Sequence, residues 1–134
     1  MTAKHAGQLL WTDLTVKNAE EVRAFYEAVI GWISQPVEME TRTDYMMVAA
    51  GERPTAPEGM DKIAAGICNA VAEIADLPPQ WLNYWGVDDL DASRAACEAH
   101  GGRLLTGIKT HGNSRYCAIA DPAGAVCGLF EQND

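Results

Sequence analysis

The first run of apolar residues, Gln8-Leu9-Leu10-Trp11-Thr12-Asp13-Leu14-Thr15-Val16, is rich in strand formers and bounded by Gly7 and Lys17-Asn18, which predicts a strand. The period then changes. Val22, Phe25, Tyr26 and Val29 recur at i, i+3, i+4 and i+7, one apolar stripe of a helix that would lie on a sheet. Asn18, with Glu21 three residues on, predicts a capping box at its start, and Gly31 predicts its stop. Trp32 to Met39, Asp44 to Ala50 and Ile63 to Val71 read as three further strands, separated by Thr41-Arg42-Thr43 and by the loop Gly51 to Asp61, which holds Pro54, Pro57 and Gly59. The result is a βαβββ module over residues 8–71. Residues 72–80 read as a connector, because Leu77-Pro78-Pro79 withholds two backbone donors and forces extended backbone before each proline.

The same order then restarts over residues 81–131. Trp81 to Val87 is a strand, Asp89 a helix cap, Leu90 to His100 a helix, and Gly101-Gly102 its terminator. Arg103 to Ile108, Arg115 to Ala120 and Ala125 to Glu131 are strands, joined by the turns His111-Gly112-Asn113-Ser114 and Asp121-Pro122-Ala123-Gly124. Sliding the chain by 71 residues superposes Val16 on Val87, Arg23 on Arg94, Ala24 on Ala95, Glu27 on Glu98, Ala28 on Ala99 and Gly31 on Gly102. These six identities in the sixteen positions from Val16 to Gly31 keep strand, helix and glycine stop in register and indicate an internal duplication.

Composition narrows the function classes. With 134 residues, 48% hydrophobic and a net charge of −9, the chain reads as one soluble globular domain able to bury its own core. Its acidity disfavours nucleic-acid and membrane-surface partners. No stretch approaches the roughly 18 to 20 apolar residues of a membrane helix, and the first seven residues lack the apolar core of a secretory signal, so a cytoplasmic location is expected. Cys68, Cys97, Cys117 and Cys127 form no C-x-x-C pair and read as buried small hydrophobes. Phosphate-cradle, dinucleotide, zincin and nucleophile-elbow motifs are absent.

Three stretches together resemble the vicinal oxygen chelate superfamily of glyoxalase I, bleomycin-resistance proteins and extradiol dioxygenases. They are Asp13 to Ala19 leading to Phe25-Tyr26-Glu27 and Gly31-Trp32; Val87-Asp88-Asp89-Leu90-Asp91-Ala92 leading to Gly101-Gly102; and Arg115 to Ala125 with its Asp121-Pro122-Ala123-Gly124 hairpin. The resemblance implies an α+β fold in which two βαβββ modules form a curved, half-open barrel around a cavity, in a homodimer. It also implies metal ligands, His, Glu or Gln, on the first and last strands of each module. Here those positions fall on Trp11, Leu82 and Gly128, none of which offers a donor; the fourth lies around Ala65-Gly66-Ile67-Cys68-Asn69. His5, His100 and His111 fall at the N-terminus, a helix end and a turn, away from the cavity strands. No metal or other cofactor is expected.

Period two then places Asp13 and Thr15 with Trp11, Tyr84 and Gly86 with Leu82, and Val126 and Phe130 with Gly128 on the cavity faces. Trp81, Asn83 and Trp85 would lie on the opposite face, under helix or dimer contacts. Asp13 is the candidate catalytic base, or alternatively a structural hydrogen-bonding carboxylate. Trp11, Asp13, Asn69, Tyr84 and Phe130 are the candidate ligand contacts, with Tyr84 either donating to a ligand oxygen or simply packed. Cys68 reads as packing, and Arg115 and His111 as solvated loop residues. The expected function is metal-free binding of a small apolar or aromatic molecule. The alternatives are a metal-dependent lyase, isomerase or dioxygenase, and a cofactor-free enzyme using Asp13.

Overall fold

Burial alternates along the end of the first strand, with Leu14 and Val16 buried and Thr15 between them only partly so, and this phase decides which face meets the helix. The computed structural model describes residues 6–39, 42–49, 63–69 and 77–133. His5, the loop Gly51 to Asp61, and the expected strand ends and connector start at 50 and 70–76 lie outside the described residues. The chain divides into two compact units, one of Thr12–Trp81 and one that joins the segment up to Trp11 with Leu82 onward.

In the first unit, β1 (Leu9–Val16, entering at Thr12) leads through α1 (Ala19–Ile30) to β2 (Ile33–Glu38), β3 (Thr43–Val48) and β4 (Ile63–Asn69). β2, β3 and β4 pair antiparallel in turn, and β4 lies parallel to β1 with Asp13 opposite Gly66 and Thr15 opposite Cys68. Leu14, Val16, Ala19, Met47 and Ile67 form the buried core beneath α1, joined by Val22 and Tyr26. Met47 and Ile67 are fully buried, and burial of such side chains stabilises the unit by about 1.5–3 kcal/mol each. The apolar stripe of α1 is narrower than its sequence suggests, because Phe25 and Val29 remain 56% and 62% exposed. Trp81 is covered by α1, packing on Tyr26 and Trp32 and donating its indole N–H to the Tyr26 hydroxyl at 3.3 Å.

The ends of α1 split the sequence reading. Gly31 takes the left-handed conformation (φ 86°), and its N–H donates to the Glu27 carbonyl as the stop signal requires. The capping box does not form, since Asn18 makes no side-chain capping bond; the Ala19 N–H is met from across the sheet by the Asn69 side-chain carbonyl at 3.4 Å.

The second unit repeats the plan with β5 (Trp81–Gly86, from Leu82), α2 (Leu90–Ala99), β6 (Arg103–Leu104), β7 (Lys109–His111), β8 (Ser114–Ala120) and β9 (Val126–Glu131). β5 lies parallel to β9, which pairs antiparallel with β8; β6 and β7 both pair with β8. The strand expected from Arg103 to Ile108 breaks after Leu104. Leu105 and Thr106 both direct their N–H groups at the Ala118 carbonyl, and the Thr106 hydroxyl accepts from the Ala118 N–H, so a side chain substitutes for the ladder. Leu90, Cys117 and Leu129 make the core under α2. Asp89 caps α2 as expected, accepting from the Ala92 N–H at 3.1 Å. The fold is thus α+β, two modules of one strand, one helix and further strands, with the first helical residues Ala19 and Leu90 separated by the 71-residue repeat.

Candidate functional site

Residues paired across neighbouring strands share a face, so the contacts of each helix fix which side chains lie away from it. In the first unit, Leu14 and its partner Ile67 are buried in the core beneath α1; Asp13 with Gly66, and Thr15 with Cys68, therefore occupy the opposite face. One carboxylate oxygen of Asp13 is buried. Its charge, with that of Asp44, adds to the effect of burial and pushes the Cys68 thiol up to about 12, against a weaker opposing influence from Arg42. Such a thiol is protonated at neutral pH and inert as a nucleophile.

Asn69 pairs with Val16, at the end of β4 beside the start of α1. Its amide accepts from the Ala19 N–H, and donates to the Thr43 carbonyl at 2.7 Å and to Asp44 Oδ1 at 3.2 Å. Asp44 is in turn held by the Arg42 guanidinium at 3.2 Å. A groove of about 590 Å³ beside α1 is lined by Arg23, Arg42, Tyr45 and Asn69 among others, and both of its arginines are salt-bridged, to Glu27 and Asp44.

In the second unit, Trp85, its partner Leu129 and Cys117 share the α2 side of the sheet, Trp85 remaining 39% exposed. Tyr84 opposite Gly128, and Gly86 opposite Phe130, share the other face, as does Tyr116, the partner of Phe130 on β8. Tyr84, buried to 8% exposure, meets Tyr116 edge-on, with ring centroids 6.0 Å apart and planes at 78°. Tyr116 and Phe130 lie nearly parallel, 6.1 Å apart at 17°. This face carries three aromatic rings beside two glycines and is mostly buried, with Ala118 only 4% exposed. Leu82, in phase with Tyr84, is buried, and Trp11 is half-buried at the phase of Asp13.

Tyr116 escaped the sequence reading, whose four-residue turn Asp121 to Gly124 pairs it with Leu129. Five residues, Asp121 to Ala125, separate β8 from β9, so Ala120 pairs with Val126 and Tyr116 with Phe130. Arg115 also differs from the sequence expectation. At the start of the expected strand it is not left to solvent but donates to Glu131 at 2.9 and 3.0 Å and to Asp91 at 3.1 Å. Glu131 accepts in addition from the Leu90 N–H at 2.7 Å, and these donors, Arg115 first, hold its carboxyl down to about 2. Arg115 and Glu131 thus anchor the start of α2.

The two parallel pairs also fix the fourth position of the implied metal site. Asp13 and Tyr84 are 71 residues apart, and their partners are Gly66 and Gly128. By this equivalence the position that the resemblance leaves open falls on Gly66, and none of the side chains at Trp11, Gly66, Leu82 and Gly128 offers a metal donor. Two are apolar side chains and two carry none, and a Cβ at residue 128 would collide with the Tyr84 ring. Among the described residues, no group of three or more His, Cys, Asp or Glu converges on a point where an ion would sit.

Comparison with known proteins agrees with this architecture. The sequence profile of the Glyoxalase/Bleomycin resistance protein/Dioxygenase superfamily matches residues 8–127. The chain is 29% identical over 128 residues to the Mycobacterium bovis protein named "Putative glyoxylase CFP32", covering 93% of this chain and 44% of that protein. It is 25% identical over 136 residues to the anthracycline biosynthesis protein DnrV of Streptomyces peucetius, covering 98% of this chain and 50% of that one. The chain therefore spans about half the length of these curated relatives. Among solved structures, methylmalonyl-CoA epimerase from Mycobacterium tuberculosis matches with a TM-score of 0.57 at 19% identity, over 100% of this chain and 94% of that one. At that identity the likeness is one of fold.

Proposed function

Because the chain belongs to the Glyoxalase/Bleomycin resistance protein/Dioxygenase superfamily, we propose that it is a homodimer that binds a small apolar or aromatic molecule without a metal ion. The observation that carries this reading is the sheet face of the second unit away from α2, where the Tyr84 ring lies over Gly128 and Tyr116 and Phe130 continue an aromatic cluster in place of metal-binding chemistry. Concave or open apolar faces with few polar groups suit small-molecule recognition. The name of the relative DnrV places that protein in the biosynthesis of anthracyclines, which are polycyclic aromatic compounds, and this supports an aromatic ligand here.

A thermal-shift screen of aromatic compounds, run with and without Zn²⁺, Mn²⁺ and Mg²⁺, tests the proposal. A ligand at a hundred times its Kd stabilises the folded state by about 2.7 kcal/mol, so compounds that raise Tm equally in both arms are the expected result. Stabilisation by metals alone would overturn it. A second reading, an enzyme using Asp13 as a base, rests on that carboxylate's place on the face of the first unit away from α1, with one oxygen buried. Under it Asp13→Asn abolishes turnover of a bound compound while leaving its Kd nearly unchanged.

A further inference from the structure

The groove of about 590 Å³ in the first unit lies between α1 and the strands β2 and β3, on the side of the sheet away from Asp13 and Gly66. Its strand positions keep the phase of the core. Tyr45 pairs with Ile67, which is buried beneath α1; Thr43 lies two residues before Tyr45 and faces Glu38, and Asn69 lies two residues after Ile67. Glu20 and Arg23 reach the groove from α1, and Arg42 from the residue before β3. Its size is that of a small-molecule site.

The charges around this groove are only partly spent. Arg23 gives Nη1 to Glu27 at 2.8 Å and lies over the Tyr45 ring at 5.4 Å, but its buried Nε has no hydrogen-bond partner among the described residues. Arg42 holds both oxygens of Asp44 through Nε alone, so its two terminal nitrogens remain as donors. Glu20 and Glu38 join no ion pair among the described residues, and Glu38 accepts only from the Thr43 hydroxyl at 3.3 Å. Glu27 and Asp44 already balance the two arginines, so Glu20 and Glu38 leave the groove net negative while the guanidiniums still offer directed donors. A bare anion is repelled there, and a bare cation leaves the donors unused. The complement is an ammonium and an anionic acceptor on one small molecule.

We propose that this groove is a second binding site, for a small zwitterion of the amino-acid or dipeptide type. Its ammonium pairs with Glu20 and Glu38, and its carboxylate takes the remaining donors of Arg42 and Arg23. The ion pairs to Glu27 and Asp44 hold the two guanidiniums in place for it. The site is independent of the binding of an aromatic molecule on the other sheet face, and either can fail without the other.

The test is an NMR titration of the isotope-labelled full chain at low ionic strength with L-alanyl-L-alanine, its N-acetyl form and its C-terminal amide, read on the backbone amides of Ser34, Thr43 and Asn69. The free dipeptide is expected to bind roughly tenfold more tightly than either blocked form, the effect of one charge-assisted hydrogen bond, and added salt should shrink that advantage. Glu20→Gln and Glu38→Gln should each weaken the free dipeptide while leaving the N-acetyl form unchanged, and Arg42→Gln should weaken the free dipeptide but not the amide. Both glutamates are exposed, so their variants keep the fold and decide the matter even where Arg42→Gln, which frees Asp44, loses stability. Equal affinity for the N-acetyl form, indifference to both glutamate substitutions, or shifts that do not saturate in the millimolar range would overturn the proposal. So would competition between the dipeptide and an aromatic compound bound on the opposite face.

Discussion

Cys68 shows how one residue's surroundings set its chemistry. The strand pairing places it opposite Thr15, and burial together with the charges of Asp13 and Asp44 pushes its thiol up to about 12. Alkylation requires the thiolate. At pH 8, iodoacetamide is therefore expected to modify native Cys68 slower by a factor on the order of a thousand than the same cysteine in denatured protein, as peptide mass spectrometry after timed quenching would show. Comparable rates in both states would contradict the assignment. The sequence read Cys68 as packing without showing why its thiol is inert: burial is the larger cause, and two carboxylates are brought near it from β1 and β3. Nor did local sequence show that Gly66 is the partner of Asp13 in the way that Gly128 is the partner of Tyr84. Both relations depend on which residues of separated strands come to lie side by side.

The helix starts are held by two different devices. Asp89 caps α2 locally, whereas α1 receives its capping acceptor from Asn69 at the end of β4, fifty residues away. Asp89→Ala is accordingly expected to cost about 0.5–2 kcal/mol. Asn18→Ala should cost only a few tenths, because no side-chain cap is lost; urea denaturation of the two variants measures the difference. Glu131 plays for α2 the part that Asn69 plays for α1, and adds the Arg115 ion pair. Glu131→Gln is expected to lose roughly 1.5–3 kcal/mol at neutral pH, the range for hydrogen bonds to charged groups. The folded-state pKa of Glu131, about 2, lies below its ordinary 4.5. Its stabilisation is therefore fully present above pH 4.5 and falls away as the pH drops towards 2. The Glu131→Gln variant should show a shallower loss of Tm over that interval, and an identical acid profile would refute the role. Spacing revealed Asp89 because its partner is three residues on, but Asn69 was read as a ligand contact and Glu131 was given no role, because their partners lie in another element.

The whole chain is two repeats of one plan. Relatives about twice its length match across nearly all of it, and on the proposed reading a second copy of the chain covers exposed apolar residues such as Phe25 and Val29. Light scattering of the purified protein is expected to give twice the 14.5 kDa chain mass, and a monomer at high concentration would contradict that part of the proposal. Period and punctuation in the chain were enough to yield both modules, both helices, and the Gly31 and Asp121–Gly124 turns, because each of these is written in neighbours within a turn or a strand; the donor-poor positions Trp11, Leu82 and Gly128 came from the resemblance to the superfamily. The break after Leu104, the capping of α1 by Asn69, the pairing of Asp13 with Gly66, and the packing of Tyr84 over Gly128 and against Tyr116 came only with the folded chain. They are products of strand register between segments far apart in sequence, and register is set by how distant faces pack, which no local period encodes.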